Sequence, residues 1–478
     1  METLQFSLPI LPNMKKKSQA MHLVPNNQKT NPKYSPIVIS CLSYRPEDHI
    51  SFFPPSNQNV AAIVFGDGSA TQLYPLTKRR SKGAMPIAGN YRLIDAVISN
   101  CINSNINKIY TLTQFNSTSL NSHLTKAYCG AGLGKEGLVE VIAAFQSSEH
   151  KGWFQGTADA IRKCLWLLEE YPVSEFLILC GHHLYQMDYQ KLIEAHRKKR
   201  AEITCAVCTP RRDRDPGFGF YKIDNNENYV IETKMSLSVE SKGEKDFISD
   251  NILSGMGIYI INRDTMKKLL IEYFPEANDL QNEVIPAAMS LGLKVHVYKF
   301  NGYWEDMGSI KSFYQANMEI VKKTSMAFNC FYDRGSPLYT LPRSLPPTLM
   351  TDAVVTNSII GGGCILKRCN IRSTVIGPRT RVGAGAVIED SILMGSDVYP
   401  IQDGQGQSKK NGDIPIGIGE FSQIRKAIID KNARIGENVM IINKDNVQEA
   451  NREACGYTIT AGIVVILKSA ILPDGTII

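Results

Sequence analysis

Past residue 350 the sequence acquires a period. Ile359, Ile365 and Ile371 stand six apart, as do Val382 and Ile388, and Ile429, Ile435 and Ile441. Aliphatic–glycine pairs punctuate the same stretch: Ile360-Gly361, Ile376-Gly377, Val382-Gly383, Ile418-Gly419 and Ile435-Gly436. A six-residue repeat of this kind is the pattern of a parallel β-helix, in which each aliphatic fills a narrow interior and glycine permits the corner. The repeat predicts such a domain over residues 351–478. The Gly-, Gln- and Lys-rich stretch 399–413 reads as an exposed loop between coils, and the Pro-containing stretch 332–347 lies in a linker over 331–350.

Upstream, short apolar runs alternate with amphipathic segments. Strands are expected at 60–65, 108–113, 176–180, 203–208, 257–261 and 295–300, and helices at 157–171 and 188–200. Doubly buried strands separated by helices predict an α/β, doubly wound, mostly parallel sheet over 56–330. Ligands of such sheets sit outside the carboxyl ends of the strands.

The composition, 43 % hydrophobic and 21 % charged, is that of a globular chain. No apolar run approaches the roughly 18–20 residues that span a bilayer. A net charge of +7, from 53 basic and 46 acidic side chains, is too mild to imply nucleic acid. Part of the excess lies in the leading segment, where Lys15, Lys16, Lys17, Lys29, Lys33 and Arg45 face only Glu2, Glu47 and Asp48. Residues 1–55 are acid-poor, contain Ser, lack periodicity and lack a secretory apolar core. They read as a disordered, transit-type leader, plastid rather than mitochondrial. The 11 cysteines are scattered, and Cys205 and Cys208 project to opposite faces of one strand, so reduced thiols are expected and a cysteine-held zinc is not.

The segment from Phe65 to Thr77 follows the first strand and contains Gly66, Gly68, Thr71 and Gln72. A glycine-bearing turn there can lay backbone N–H groups against phosphate, and Lys78, Arg79, Arg80 and Lys82 add cations. With Trp153-Phe154-Gln155-Gly156-Thr157-Ala158-Asp159-Ala160, Gly302-Tyr303-Trp304-Glu305-Asp306 and the terminal repeat, this loop resembles the sugar-nucleotide pyrophosphorylases. Asn90-Tyr91-Arg92-Leu93-Ile94-Asp95, Thr113-Gln114-Phe115-Asn116-Ser117, the run from Ile428 to Gly436 and Asp445-Asn446-Val447-Gln448-Glu449-Ala450 narrow the resemblance. Over residues 60–478 the chain is similar to the small subunits of plant ADP-glucose pyrophosphorylase (glucose-1-phosphate adenylyltransferase).

That resemblance implies a left-handed β-helix, ATP and glucose 1-phosphate as substrates, Mg²⁺ as cofactor, the plastid stroma, and a heterotetramer with large subunits under metabolite control. It places Gly66, Gly68, Thr71, Gln155, Gly156 and Thr157 at the nucleotide, Lys82 and Gln72 in catalysis, and Lys234, Thr233 and Gly255 at the sugar phosphate. Arg80, Arg92, His123 and Arg343 match effector cations, and Asp306 matches one of two metal aspartates.

Several motif positions depart from the family pattern. His182 stands where the second metal aspartate belongs, in Cys180-Gly181-His182-His183. Asp67 and Ala70 replace loop glycines, Gln72 replaces Arg, Gly83 replaces Pro, Thr233 replaces Glu, and Gly255 replaces Ser. Ser122, Leu341 and Thr460 replace Arg, Gln and Lys of the effector region, and no cysteine matches the N-terminal inter-subunit one near Phe52. Imidazole is a poor Mg²⁺ ligand, acceptable to zinc or nickel. These changes imply a small subunit impaired or inactive in catalysis. The competing expectations are an active subunit using another metal and a non-enzymatic sensor or assembly partner. Acyltransferase activity, common on hexapeptide β-helices, is disfavoured because all eight histidines precede residue 300.

Overall fold

The computed structural model describes residues 59–67, 71–128, 138–144, 152–210, 218–224, 229–234, 252–399 and 414–478. The leader, Gly68, Ala70, residues 400–413 of the predicted loop, and the side chains of Thr71 and Lys234 lie outside the described residues.

A mixed sheet forms the first body. Its central strands β1 (Val60–Phe65), β2 (Lys108–Thr113), β3 (Leu138–Ala143) and β4 (Glu175–Cys180) are parallel, in spatial order β4-β1-β2-β3. Every residue of β1 and β4 is buried, because α1 (Leu93–Asn103), α2 (Thr118–Tyr128), α3 (Thr157–Leu168) and α4 (Tyr189–Lys199) supply apolar faces to the two sides. A short strand β5 (His183–Tyr185) follows β4 at once. Asp188 caps α4 through Gln190 N, and Arg200 ends it in the left-handed region at φ 48°.

The sheet departs from the mostly parallel expectation on one side. Strands β6 (Ile203–Cys208), β7 (Phe220–Ile223) and β8 (Val230–Lys234) are joined to the centre by a long β9 (Ile252–Asn262). β9 runs antiparallel to β4, β6 and β7, and its ladder to β6 is interrupted between Gly255 and Tyr259. β10 (Val295–Lys299) pairs parallel with β6, and β11 (Trp304–Asp306) pairs antiparallel with β5. The strand expected at 257–261 is thus the second half of one that starts five residues earlier. Polar Ser254 and Gly255 hide that extension from an apolar-run reading.

The second body is a β-helix of three sheets whose strands pair parallel with their counterparts one coil away, except that one sheet ends in an antiparallel extension through Glu449–Arg452 and Tyr457–Thr460. Inside, aliphatics stack in columns: Leu366, Val382, Ile418, Ile435 and Leu472 form one, and Ile371, Ile388, Ile424 and Ile441 another. Ile371, Val382, Ile388, Ile429, Ile435 and Ile441 are interior, as the repeat predicts. Ile359 and Ile365 are not; their neighbours Ile360 and Leu366 occupy the inward positions. Strand alternation explains the correction, since one residue of offset exchanges the faces.

Ile359 instead begins an outer column with Val375, Ile392, Ile428 and Val465. This column packs with Ile310, Phe313 and Ile320 of α5 (Ile310–Val321) and with Leu73, Leu76 and Met85 in one apolar cluster. The two bodies therefore share a core, and residues 332–347 do not merely tether them. Tyr339 N donates to Ser99 Oγ at 2.8 Å and Thr340 Oγ1 to Asp95 Oδ2 at 2.6 Å, pinning that segment to α1. No described helix is long and apolar enough to cross a membrane.

Candidate functional site

The register of the central strands brings the sequence motifs together. Phe65 pairs with Leu112 and with Cys180, so the chain leaves β1 and β4 side by side. Gly66 N donates to Leu112 O at 2.9 Å and Gly181 N to Phe65 O at 2.8 Å. The first ends in the phosphate-loop motif, the second in His182 and His183. The β5–β11 ladder then sets Asp306 directly opposite His183, and Met307 N donates to His182 O at 3.4 Å. Oδ1 of Asp306 lies 3.4 Å from His182 Nε2 and 3.7 Å from His183 Nε2.

Burial governs this cluster's electrostatics. It pushes His182 well below the usual imidazole range and His183 to about 3, with the neighbouring charge of Lys82 acting in the same direction on both. Both rings are therefore neutral at physiological pH. Burial also pushes Asp306 up to about 6, opposed by Lys82. Lys82, itself buried, is held below its ordinary value by desolvation while Asp306, Cys180 and Asp67 favour its charge. His182 Nδ1, both nitrogens of His183 and Asp306 Oδ1 are buried without a hydrogen-bond partner.

A cavity of about 560 Å³ adjoins the cluster, with Asp306, Glu305, Gln72, Ser254, Cys208 and Ser309 among its lining residues. Gln72 is exposed on the short helix Thr71–Leu73. Gly83 N donates to Gly66 O at 3.2 Å, a bond that proline could not make. Gly255 sits in β9 where an added Cβ would fall 2.4 Å from Phe218 O and 2.9 Å from the Tyr221 ring, so the backbone has closed over the place of a serine side chain.

Gln155, Gly156 and Thr157 open α3 against the segment around Asn278. A Cβ on Gly156 would lie 2.3 Å from Asn278 O, and Thr157 Oγ1 accepts from Leu280 N at 2.9 Å. Thr233 and Lys234 lie on β8, with Thr233 opposite Tyr221 of β7.

The predicted effector cations gather at the junction of the two bodies. Arg80 donates to Asp430 Oδ1 at 2.6 Å and to Met394 Sδ at 3.3 Å, fully within the interface. Arg92 donates to Ser119 O at 2.8 Å, and burial lowers its guanidinium to about 10, with Arg343 and Arg80 adding to the effect. Lys431 pairs with Asp397 at 2.7 Å. His123 is placed differently: it is wholly buried, 2.6 Å from Asp95 Oδ1, which also accepts from Tyr128 Oη at 2.6 Å. His183, Asp95 and Asp430 escaped sequence reasoning. The His182-His183 doublet at a strand end was the available signal for the first; the other two lie in motif runs that carry the resemblance, but nothing local names their partners.

Residues 61–323 match a family model described as nucleotidyl transferase, and residues 343–477 match one described as the GLGC left-handed parallel β-helix domain. The chain is 51 % identical over 449 residues to the chloroplastic/amyloplastic glucose-1-phosphate adenylyltransferase small subunit of Triticum aestivum, covering 90 % of this chain and 93 % of that one. The chain belongs to that small-subunit family. It is also 57 % identical over 433 residues to the inactive glucose-1-phosphate adenylyltransferase small subunit 2 of Arabidopsis thaliana chloroplasts, covering 89 % and 90 % of the two chains. The same likeness makes the plastid its compartment. The left-handed β-helix and nucleotidyltransferase fold expected from the sequence are both present.

Proposed function

We propose that this chain is a glucose-1-phosphate adenylyltransferase small subunit that retains the scaffold and assembly surfaces but is impaired or inactive in transfer. One observation carries the reading: a neutral, buried imidazole faces Asp306 where the family's second metal carboxylate belongs.

In the family reaction a phosphate oxygen of glucose 1-phosphate bonds to the α-phosphorus of ATP, the bond to the β-phosphate breaks, and pyrophosphate leaves. Protein contributes position and charge neutralisation rather than covalent chemistry. A bound divalent ion would help to neutralise the developing phosphate charge. Mg²⁺ takes oxygen ligands in near-octahedral geometry, whereas this cluster offers two imidazole nitrogens and one carboxylate. The donors do not fit Mg²⁺. Lys82 keeps a cation beside the site, while Gln72 offers the leaving pyrophosphate a hydrogen bond without charge. Loss of one such electrostatic contact costs about 3–4 kcal/mol in the transition state. The two losses together amount to on the order of 5–8 kcal/mol, about 10⁴–10⁶ in rate.

Binding groups outlast catalytic ones. Gly66, Gly68, Thr71, Gln155, Gly156 and Thr157 are assigned to the nucleotide and Lys234 to the sugar phosphate. Thr233 and Gly255 are degenerate positions beside it. Arg80, Arg92 and Arg343 are assigned to an effector anion, with His123 supporting them through Asp95. The likeness to small subunits supports large subunits of the same enzyme as partners in a heterotetramer.

The test is an ADP-glucose synthesis assay on the purified chain beside the double variant His182→Asp, Gln72→Arg. No product from the unmodified chain and measurable product from the double variant are expected. Turnover by the unmodified chain at the rate of an active small subunit overturns the reading. Titration calorimetry with ATP then separates a binding scaffold from a dead pocket.

A further inference from the structure

The strongest unassigned chemistry lies in the donor set that fails for Mg²⁺. We propose that His182 Nε2, His183 Nε2 and Asp306 Oδ1 form a binding site for a borderline divalent ion of the zinc class, with its fourth position open toward the adjoining cavity.

Geometry is the first support. A tetrahedral zinc with bonds of about 2.0–2.1 Å has ligand–ligand edges of roughly 3.3–3.4 Å. The two edges to Asp306 measure 3.4 and 3.7 Å, and one ligand atom from each of the three residues lies within 4.8 Å of the others. Small side-chain shifts would close the third edge.

The second support is an unexplained cost. His183 is 0 % exposed, and neither of its nitrogens has a hydrogen-bond partner; Asp306 Oδ1 and His182 Nδ1 are in the same condition. Leaving buried polar groups unmade costs about 1–3 kcal/mol each. The His183 ring is fixed edge-on against Phe218 and Trp304, with centroids 4.9 and 5.2 Å away, so it cannot swing to water. A metal ion would satisfy two of these atoms, His183 Nε2 and Asp306 Oδ1, at once. Two neutral imidazoles and a carboxylate suit zinc, cobalt or nickel, and the cavity lined by Asp306 supplies an entry path.

Two features limit affinity. Lys82 sets a positive charge beside the cluster. The Nδ1 atoms lack the acceptor that usually orients a ligating ring, a contact whose loss weakens such sites by about 10–100-fold. Micromolar rather than nanomolar retention is therefore expected.

The inference does not depend on turnover, because its readout is bound metal. The full chain, carrying Cys455→Ser to remove the one fully exposed thiol among the described residues, is dialysed against micromolar zinc in millimolar magnesium, and zinc is counted. One zinc per chain is expected. Its affinity should fall at least about 100-fold in His182→Ala and in Asp306→Asn, and rise several-fold in Lys82→Met. Cobalt substitution of the unmodified chain should give an intense tetrahedral spectrum, which decides the matter if a variant does not fold. No stoichiometric zinc, an octahedral cobalt spectrum, or zinc retained in both folded ligand variants overturns the proposal.

Discussion

Two places where buried charge collects among the described residues are built in opposite ways. Where the sheet meets the β-helix, buried Arg80 meets buried Asp430, and on the sheet side Asp95 accepts from Tyr128 and Thr340. At the carboxyl ends of the strands, His182, His183 and Asp306 leave four atoms without partners. A buried ion pair whose members complete one another is a requirement of folding, because either charge alone is costly. Unpaired groups at a strand end do nothing for folding and persist only if they bind something or have lost what they bound. The contrast locates the divergence of this chain in its chemistry and leaves its architecture intact.

The largest expected effect tests the chemical side. His182→Asp with Gln72→Arg should raise ADP-glucose synthesis by at least about 10²-fold, the recovery of one electrostatic contact, and by up to about 10⁴ or more if both act together. Each single variant should recover less than the pair in the same assay. Recovery by Gln72→Arg alone to the level of the pair would remove His182 from the explanation.

The interface side breaks next. Asp430→Ala leaves the Arg80 guanidinium buried without its carboxylate and should cost about 3–5 kcal/mol in urea unfolding. A cost below about 1 kcal/mol would mean that the interface is looser than its 2.6 Å contact implies.

Gly255 sharpens the comparison because it belongs to both worlds. Gly255→Ser restores the family residue at a sugar-phosphate position, yet its Cβ meets Phe218 O. It should destabilise by about 1–3 kcal/mol and bring no activity without the double variant. A stabilising outcome would show that β9 readily moves away from Phe218.

The smallest effect concerns pH, away from either site. Burial first, then Lys199 and His196, lower His296 to about 4. Its neutral form is the folded one, so the stability it contributes is fully present above the unfolded value of 6.5 and is lost as pH falls toward 4. At pH 5 the loss should be about 1–2 kcal/mol relative to pH 7. His296→Leu should flatten that part of the profile by the same amount in urea melts at the two pH values.

Much of this was legible in one dimension. The hexapeptide period required a narrow coil of stacked aliphatics whatever surrounds it, and the apolar runs at 60–65, 108–113 and 203–208 could only be buried strands. The substitution at His182 was equally visible, since it is a change of residue type within a motif. Tertiary structure decided what has no local signal. The inward face at Ile360 rather than Ile359 depends on where each corner falls, and the shared core depends on α5 finding the outer column of the β-helix. Asp430 became the partner of Arg80 across 350 positions of sequence. His183 joined Asp306 only through a cross-strand register. Periodicity and residue type are properties of the chain, whereas a partner is a property of the space into which the chain closes.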